Sequence, residues 1–255
     1  MLGAIIGDIV GSVYEWNRIK TKDFEFFTQR CFFTDDSVCT AAVADILLHD
    51  LPPAVTMQQW CQRYPDCSYG GMFGRWIYED TPEAYNSYGN GAAMRVSPAA
   101  FLNRNDLNAA LAAADKVTAI THNHPEGLKG ARATTHAIWL AYQGEDPTNI
   151  RNVIANEYDY DLIQTVDEIR PEYSFNETCQ GTVPQAITCA LESDSFEDAV
   201  RNAISLGGDS DTLAAIAGPI AEVLHGIPDE FVEQMFNYYL ADAPDICEVI
   251  QELYN

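Results

Sequence analysis

Gly207-Gly208-Asp209-Ser210-Asp211-Thr212, running directly into Leu213-Ala214-Ala215-Ile216-Ala217-Gly218, is the stretch whose reading decides this chain. The glycine pair permits a tight turn, and the apolar run after it starts a helix. One Asp or Ser side chain is enough to cap that helix, and an acid at its start also suits the helix dipole. Here two carboxylates and two hydroxyls stand where one cap is needed. Such surplus hard oxygens are what Mg²⁺, Mn²⁺ or Ca²⁺ binds.

A second copy of the same chemistry lies far upstream. Thr34-Asp35-Asp36-Ser37 opens another helical pattern, with Cys39, Ala42, Val43, Ile46 and Leu47 at i, i+3, i+4, i+7 and i+8. Two hydroxyl-carboxylate clusters at two helix starts can build one metal site from distant parts of the chain.

The segment Leu2–Tyr14 carries two superposed periods. Gly3, Gly7 and Gly11 recur every four residues and form a small-residue face that lets another helix come close. Asp8, Ser12 and Glu15 lie on a different face. Isoleucines and valines fill the remainder, so the helix reads as buried and Asp8 needs an internal partner or an exit to solvent.

Composition bounds the rest. The 255 residues are 47% hydrophobic and 11% aromatic, which suits one sizeable folded core, and a single domain over 1–255 is the expectation. A net charge of −24 argues against a duplex nucleic-acid backbone as partner and against anionic membranes. No apolar run approaches a membrane span, and the first residues lack the basic start of a signal peptide. The seven cysteines, an odd number without a Cys-x-x-Cys, read as reduced core thiols of a cytoplasmic protein.

Leading up to the Thr34 cluster, residues 16–33 read as a loop of mixed charges and aromatics, of the length that binding loops often have. Tyr88-Gly89-Asn90-Gly91-Ala92-Ala93-Met94-Arg95 offers flexible backbone and consecutive N–H groups suited to an anion; a plain loop and helix start is the alternative. Thr121-His122-Asn123-His124-Pro125 suggests capping or ligand contact ahead of zinc, because no further ligand stands at zinc spacing. His136 reads as a core histidine. Helices are expected at 35–49, 57–63, 73–78, around 107–117, at 127–142, 149–154 and 162–169. More follow at 185–191 (Pro184 as its start), 196–206 and 212–224, with two more within 229–254. With no convincing strand, and nine to eleven helices besides the two short segments at 149–154 and 162–169, the fold class is all-α.

With Gly7-Asp8-x-x-Gly11-x-x-x-Glu15, Thr34-Asp35-Asp36-Ser37, Gly89 to Arg95, Thr121-His122-x-His124-Pro125 and Gly207 to Thr212 in that order, the chain resembles the ADP-ribosylglycohydrolase family. The resemblance implies an all-α domain with two Mg²⁺ or Mn²⁺ ions at the base of an ADP-ribose cleft. It implies metal ligands at Thr34, Asp35, Asp36, Asp209, Asp211 and Thr212, with Asp211 bridging. It implies substrate contacts from Gly89, Asn90, Gly91, Ala93, Met94 and His124, and a glutamate near the centre at Glu15. The implied activity is hydrolysis of an ADP-ribosyl bond to an arginine or serine side chain or to a small conjugate. Acid/base work is expected of Asp36 or Asp209 ahead of Glu15. A silent ADP-ribose binder and another dinuclear hydrolase stand as alternatives. Residues 145–182 carry no motif of the family.

Overall fold

The computed structural model describes residues 1–254, and apart from one isolated bridge every regular element within them is a helix. The first eight α-helices are α1 (Leu2–Gly11), α2 (Asp35–Leu48), α3 (Pro53–Arg63), α4 (Gly71–Trp76), α5 (Gly91–Met94), α6 (Ser97–Leu102), α7 (Leu107–Thr118) and α8 (Pro125–Tyr142). Then come α9 (Pro147–Tyr158), α10 (Val166–Ile169), α11 (Cys179–Leu191), α12 (Phe196–Ser205), α13 (Ser210–His225), α14 (Asp229–Gln234), a π-helical turn at Met235–Tyr239, and α15 (Pro244–Tyr254). The number exceeds the expectation because segments such as α5 and α6 are too short to show a helical period. Among the described residues the one β-type pairing is an isolated antiparallel bridge, Gly89 to Thr178. No helix there is long and apolar enough to cross a membrane.

Helices α1 and α13 form the centre, antiparallel and almost entirely buried. Their contact is backbone on backbone. A Cβ at Gly3 would stand 2.4 Å from the Gly218 carbonyl oxygen, one at Gly7 2.3 Å from that of Ala214, and one at Gly11 2.5 Å from Asp211 Cα. Each step of four along α1 is met by a matching step back along α13, as expected of the glycine face. The register brings the end of α1, with Asp8, against the start of α13, with Asp211. At the far end the α-amino group of Met1 pairs with Glu222 at 2.9 Å.

Two expected boundaries move. Pro184 lies inside α11, which begins five residues earlier at Cys179. The Thr178 hydroxyl accepts from the Gly181 N–H, so a side-chain cap and the bridge to Gly89 nucleate the first turn and the proline is carried within it. In 162–169 only Val166–Ile169 is helical, started by a reciprocal Thr165–Glu168 capping box. All seven cysteines are free, five of them buried.

Candidate active site

The starts of α2 and α13 open into one cavity of about 570 Å³. Asp35, Asp36, Asp209, Asp211 and Thr212 line it, with Glu15 at one edge and Gly89, Asn90, Gly91 and Met94 on the facing wall. Its volume is in the range of small-molecule sites.

The two helix starts resolve their cap readings differently. At α2 the Thr34 oxygen accepts from the Asp36 N–H, an ordinary N-cap, while its hydroxyl donates to Asp8 Oδ1 at 2.7 Å. Asp8 is the partner the buried α1 required. It also accepts from the Thr34 and Ser37 N–H groups at 2.9 and 3.0 Å and from the Ser37 hydroxyl. Its oxygens are thus committed to holding α2 in place. Burial pushes the Asp8 carboxyl up to about 6, and the hydrogen bonds from Ser37 and Thr34 oppose that rise.

At α13 the Asp209 side chain caps nothing. Asp209 Oδ2 instead accepts from Asn90 Nδ2 at 2.7 Å. Gly207 and Gly208 make this turn possible. Gly207 has φ +67°, and a Cβ on it would meet the Ile19 carbonyl oxygen at 2.8 Å. A Cβ on Gly208 would lie 2.3 Å from the Tyr173 ring. One glycine is required by conformation and the other by space.

The carboxylates form two groups whose oxygens lie within 4.8 Å of one another: Asp8, Asp36 and Asp211, and Glu15, Asp209 and Asp211. Asp211 belongs to both. Asp36 Oδ1 is buried without a hydrogen-bond partner, a costly state for a carboxylate that nothing neutralises. Burial first, then mutual repulsion, raises the Asp36 carboxyl well above its usual range. Burial likewise raises Asp35 and Asp211. Burial pushes Asp209 up to about 6, against the hydrogen bonds from Asp211 and Asn90. Burial and the Asp211 charge push Glu15 up to about 7. An orphaned hard oxygen among crowded, all-oxygen donors fits a divalent cation.

A stability prediction follows from these directions. A carboxyl whose folded value is raised binds its proton in the folded chain over a pH interval where the unfolded chain, at about 4, has released it. Its contribution is fully favourable at low pH and is lost as pH climbs through about 6 for Asp8 and Asp209 and higher for the rest. Metal-stripped protein is expected to melt lower at about pH 8 than at about pH 5.5. Mn²⁺ or Mg²⁺ should restore more at the higher pH. Calorimetric scans with and without ion check this, and an ion effect independent of pH would contradict it.

Three of the expected site residues, His124, Ala93 and Thr34, lie outside the cavity lining. His124 does not line the cavity; its Nδ1 accepts from the Glu126 N–H and caps α8. The cavity histidine is His122, buried at 6% exposure. Arg95 Nη2 donates to Thr121 Oγ1 at 2.8 Å and faces His122 Nδ1 at 3.4 Å. Arg95 has only donors, so Nδ1 accepts and Nε2 carries the proton on the side of Gly89 and Gly91, where an added Cβ would stand 3.5 and 3.3 Å from it. Burial and the Arg95 cation hold His122 well below the usual imidazole range, hence neutral. Ala93 turns into the core, and Thr34 stands behind Asp36 as a cap; neither lines the cavity.

Glu177 and Thr178, in the 145–182 stretch that carries no motif of the family, supply part of a wall. The Asn90 N–H donates to the Glu177 carbonyl at 2.8 Å, and the Cys179 N–H to the Tyr88 carbonyl at 2.9 Å. This bridge brings Glu177 and Thr178 to the cavity. No local signal marks it, although the Gly-Asn-Gly loop leaves backbone groups that needed a partner.

The profile of the family described as ADP-ribosylglycohydrolase matches residues 1–255. The chain belongs to the ADP-ribosylglycohydrolase family. Its similarity to an ADP-ribosylarginine hydrolase Tri1 of Pseudomonas putida is 28% identity over all of this chain and 76% of that protein. With the mouse ADP-ribosylhydrolase ARH3 it shares 25% identity over 99% of this chain and 91% of that one. A solved chain of an ADP-ribosylglycohydrolase-related protein complex, at 19% identity, superposes with a TM-score of 0.73 over 99% of this chain and 96% of its own, which shows the shared fold. As an ADP-ribosylglycohydrolase this chain is an enzyme of the glycosidase class, and its acidic clusters could hold a metal.

Proposed function

We propose that this ADP-ribosylglycohydrolase cleaves the bond from the terminal ribose C1″ of ADP-ribose to a modified acceptor, using two Mg²⁺ or Mn²⁺ ions. The observation that carries the reading is the pair of carboxylate groups sharing Asp211, with the orphaned Asp36 oxygen between the two helix starts. Asp35, Asp36, Asp209, Asp211 and Thr212 would hold the ions. Thr34 supports the set by fixing Asp8 and α2. Bound divalent cations orient sugar hydroxyls and lower the pKa of water.

The chain's own groups do the rest. Cleavage builds oxocarbenium character on the ribose, which adjacent carboxylates stabilise. Asp36 or Asp209 takes a proton from the attacking water. Glu15, half-buried at the edge and pushed to about 7, is placed to give a proton to the leaving nitrogen or oxygen, since such a carboxyl exists in both forms near neutrality. For the acid step Glu15 therefore ranks ahead of Asp36 and Asp209 in this proposal. Asn90 holds Asp209, while Gly89, Gly91, Met94 and the His122 Nε2–H line the side that would receive the rest of the ADP-ribose.

The test is release of ADP-ribose from arginine-, serine- and nucleic-acid-linked conjugates with Mg²⁺, Mn²⁺ or chelator. Asp36→Ala and Asp209→Ala are expected to abolish metal-dependent release with the helical circular dichroism intact. Tight calorimetric binding of ADP-ribose without release from any conjugate would point to a silent binder instead.

A further inference from the structure

An aromatic pair joins two remote loops at the cavity edge. Trp16 directly follows the cavity-lining Glu15, and Phe175 stands two residues before the cavity-lining Glu177. Their rings stack at 5.7 Å with 28° between planes. Trp16 is nevertheless 70% exposed, so most of the indole stays open to solvent where the loop after α1 meets the loop before α11. An open indole is a poor way to stabilise a fold and a good surface for a flat ligand.

The pair already holds a guanidinium. Arg18 Cζ lies 4.6 Å from the Phe175 ring centroid, and Arg18 Nε donates to the Glu15 carbonyl at 3.3 Å. Among the described residues Arg18 has no carboxylate within ion-pair distance. The aromatic face and a backbone carbonyl suffice to seat it. The Trp16 side chain hydrogen-bonds the Glu15 carboxylate, and the Glu177 charge acts on that same carboxylate, on a chain of net charge −24. Open aromatic surface with carboxylates at its edge recognises a planar cation. A neutral hydroxyl gains nothing from it.

We propose that Trp16, backed by Phe175, is the acceptor platform, and that it selects a guanidinium leaving group over a serine hydroxyl. This rests on the hydrolase reading above and adds the substrate class to it. Trp16 lies on an exposed loop, so its replacement leaves the core untouched. One peptide carrying ADP-ribosylarginine and the same peptide carrying ADP-ribosylserine would be compared by kcat/KM, for wild type, Trp16→Ala and Trp16→Phe. Trp16→Ala is expected to lower the arginine-to-serine ratio roughly tenfold, the size of one stacked cation contact, with Trp16→Phe between. If the wild type cleaves the arginine peptide alone, a tenfold loss in Trp16→Ala with partial recovery in Trp16→Phe supports the platform. An equal change on both peptides, no change on either, or a wild type that cleaves only the serine peptide overturns the platform and leaves the hydrolase reading standing. Release from neither peptide, nor from any other conjugate, overturns the hydrolase reading itself and the platform with it.

Discussion

Asp211→Asn is expected to lower hydrolysis by roughly 10³-fold, as loss of a centrally placed electrostatic group does, while raising the melting temperature of the metal-free protein at about pH 8. The two effects have one cause. Asp211 is the carboxylate common to both oxygen groups, and burial with the charge of Asp209 holds it well above its usual range. Above that raised value the ionised Asp211 works against folding, so an isosteric amide relieves the repulsion. A gain of about 1 kcal/mol moves the midpoint by roughly 2–4 °C in a chain of this size. The variant should gain little from Mg²⁺ or Mn²⁺, whereas the wild type gains clearly. A metal-free variant that melts lower than the metal-free wild type would show that Asp211 supports the fold, and the centre would need another reading.

Gly7→Ala is the second large effect, and it acts through the frame. The added Cβ would lie 2.3 Å from the Ala214 carbonyl oxygen and 2.5 Å from its carbon. Both are backbone atoms of α13 and cannot rotate away. A helix gains from Ala over Gly by about 1 kcal/mol, but α1 would have to move off α13. Overpacking against backbone costs about 3 kcal/mol or more, so a net fall of several degrees is expected. Activity should fall further than the melting point suggests, because α1 carries Asp8 and leads into Glu15. Gly74→Ala is the control: its nearest neighbours would be Tyr69 atoms at 3.8 Å, and it should melt within a degree or two of the wild type. Equal melting of Gly7→Ala and Gly74→Ala would refute the close α1–α13 contact.

Much of this was legible before any coordinates. The glycine spacing of Leu2–Gly11 announced a close helix partner, and both hydroxyl-carboxylate clusters stood at helix starts, because cap and period signals are local and repeat every turn. What stayed hidden was mostly a matter of which groups face each other. His122 and His124 are indistinguishable by spacing; the choice between them falls to Arg95, Thr121 and the cap of α8. Glu177 entered the cavity through a single backbone bridge to Gly89, which leaves no periodic trace.

The stretch Gly207 to Thr212 divides the two kinds of knowledge. The sequence by itself determined a sharp turn, a helix after it and more oxygen ligands than a cap can use, since these depend on neighbours along the chain. Only the tertiary structure decided that Asp209 is no cap: Asn90 takes its carboxylate at 2.7 Å. It likewise decided that Asp211 lies between Asp36 and Glu15. The fate of a buried carboxylate is set by what lies across from it, because in a low-dielectric interior a charge must be matched by groups within a few ångströms, and those come from wherever the fold brings the chain back.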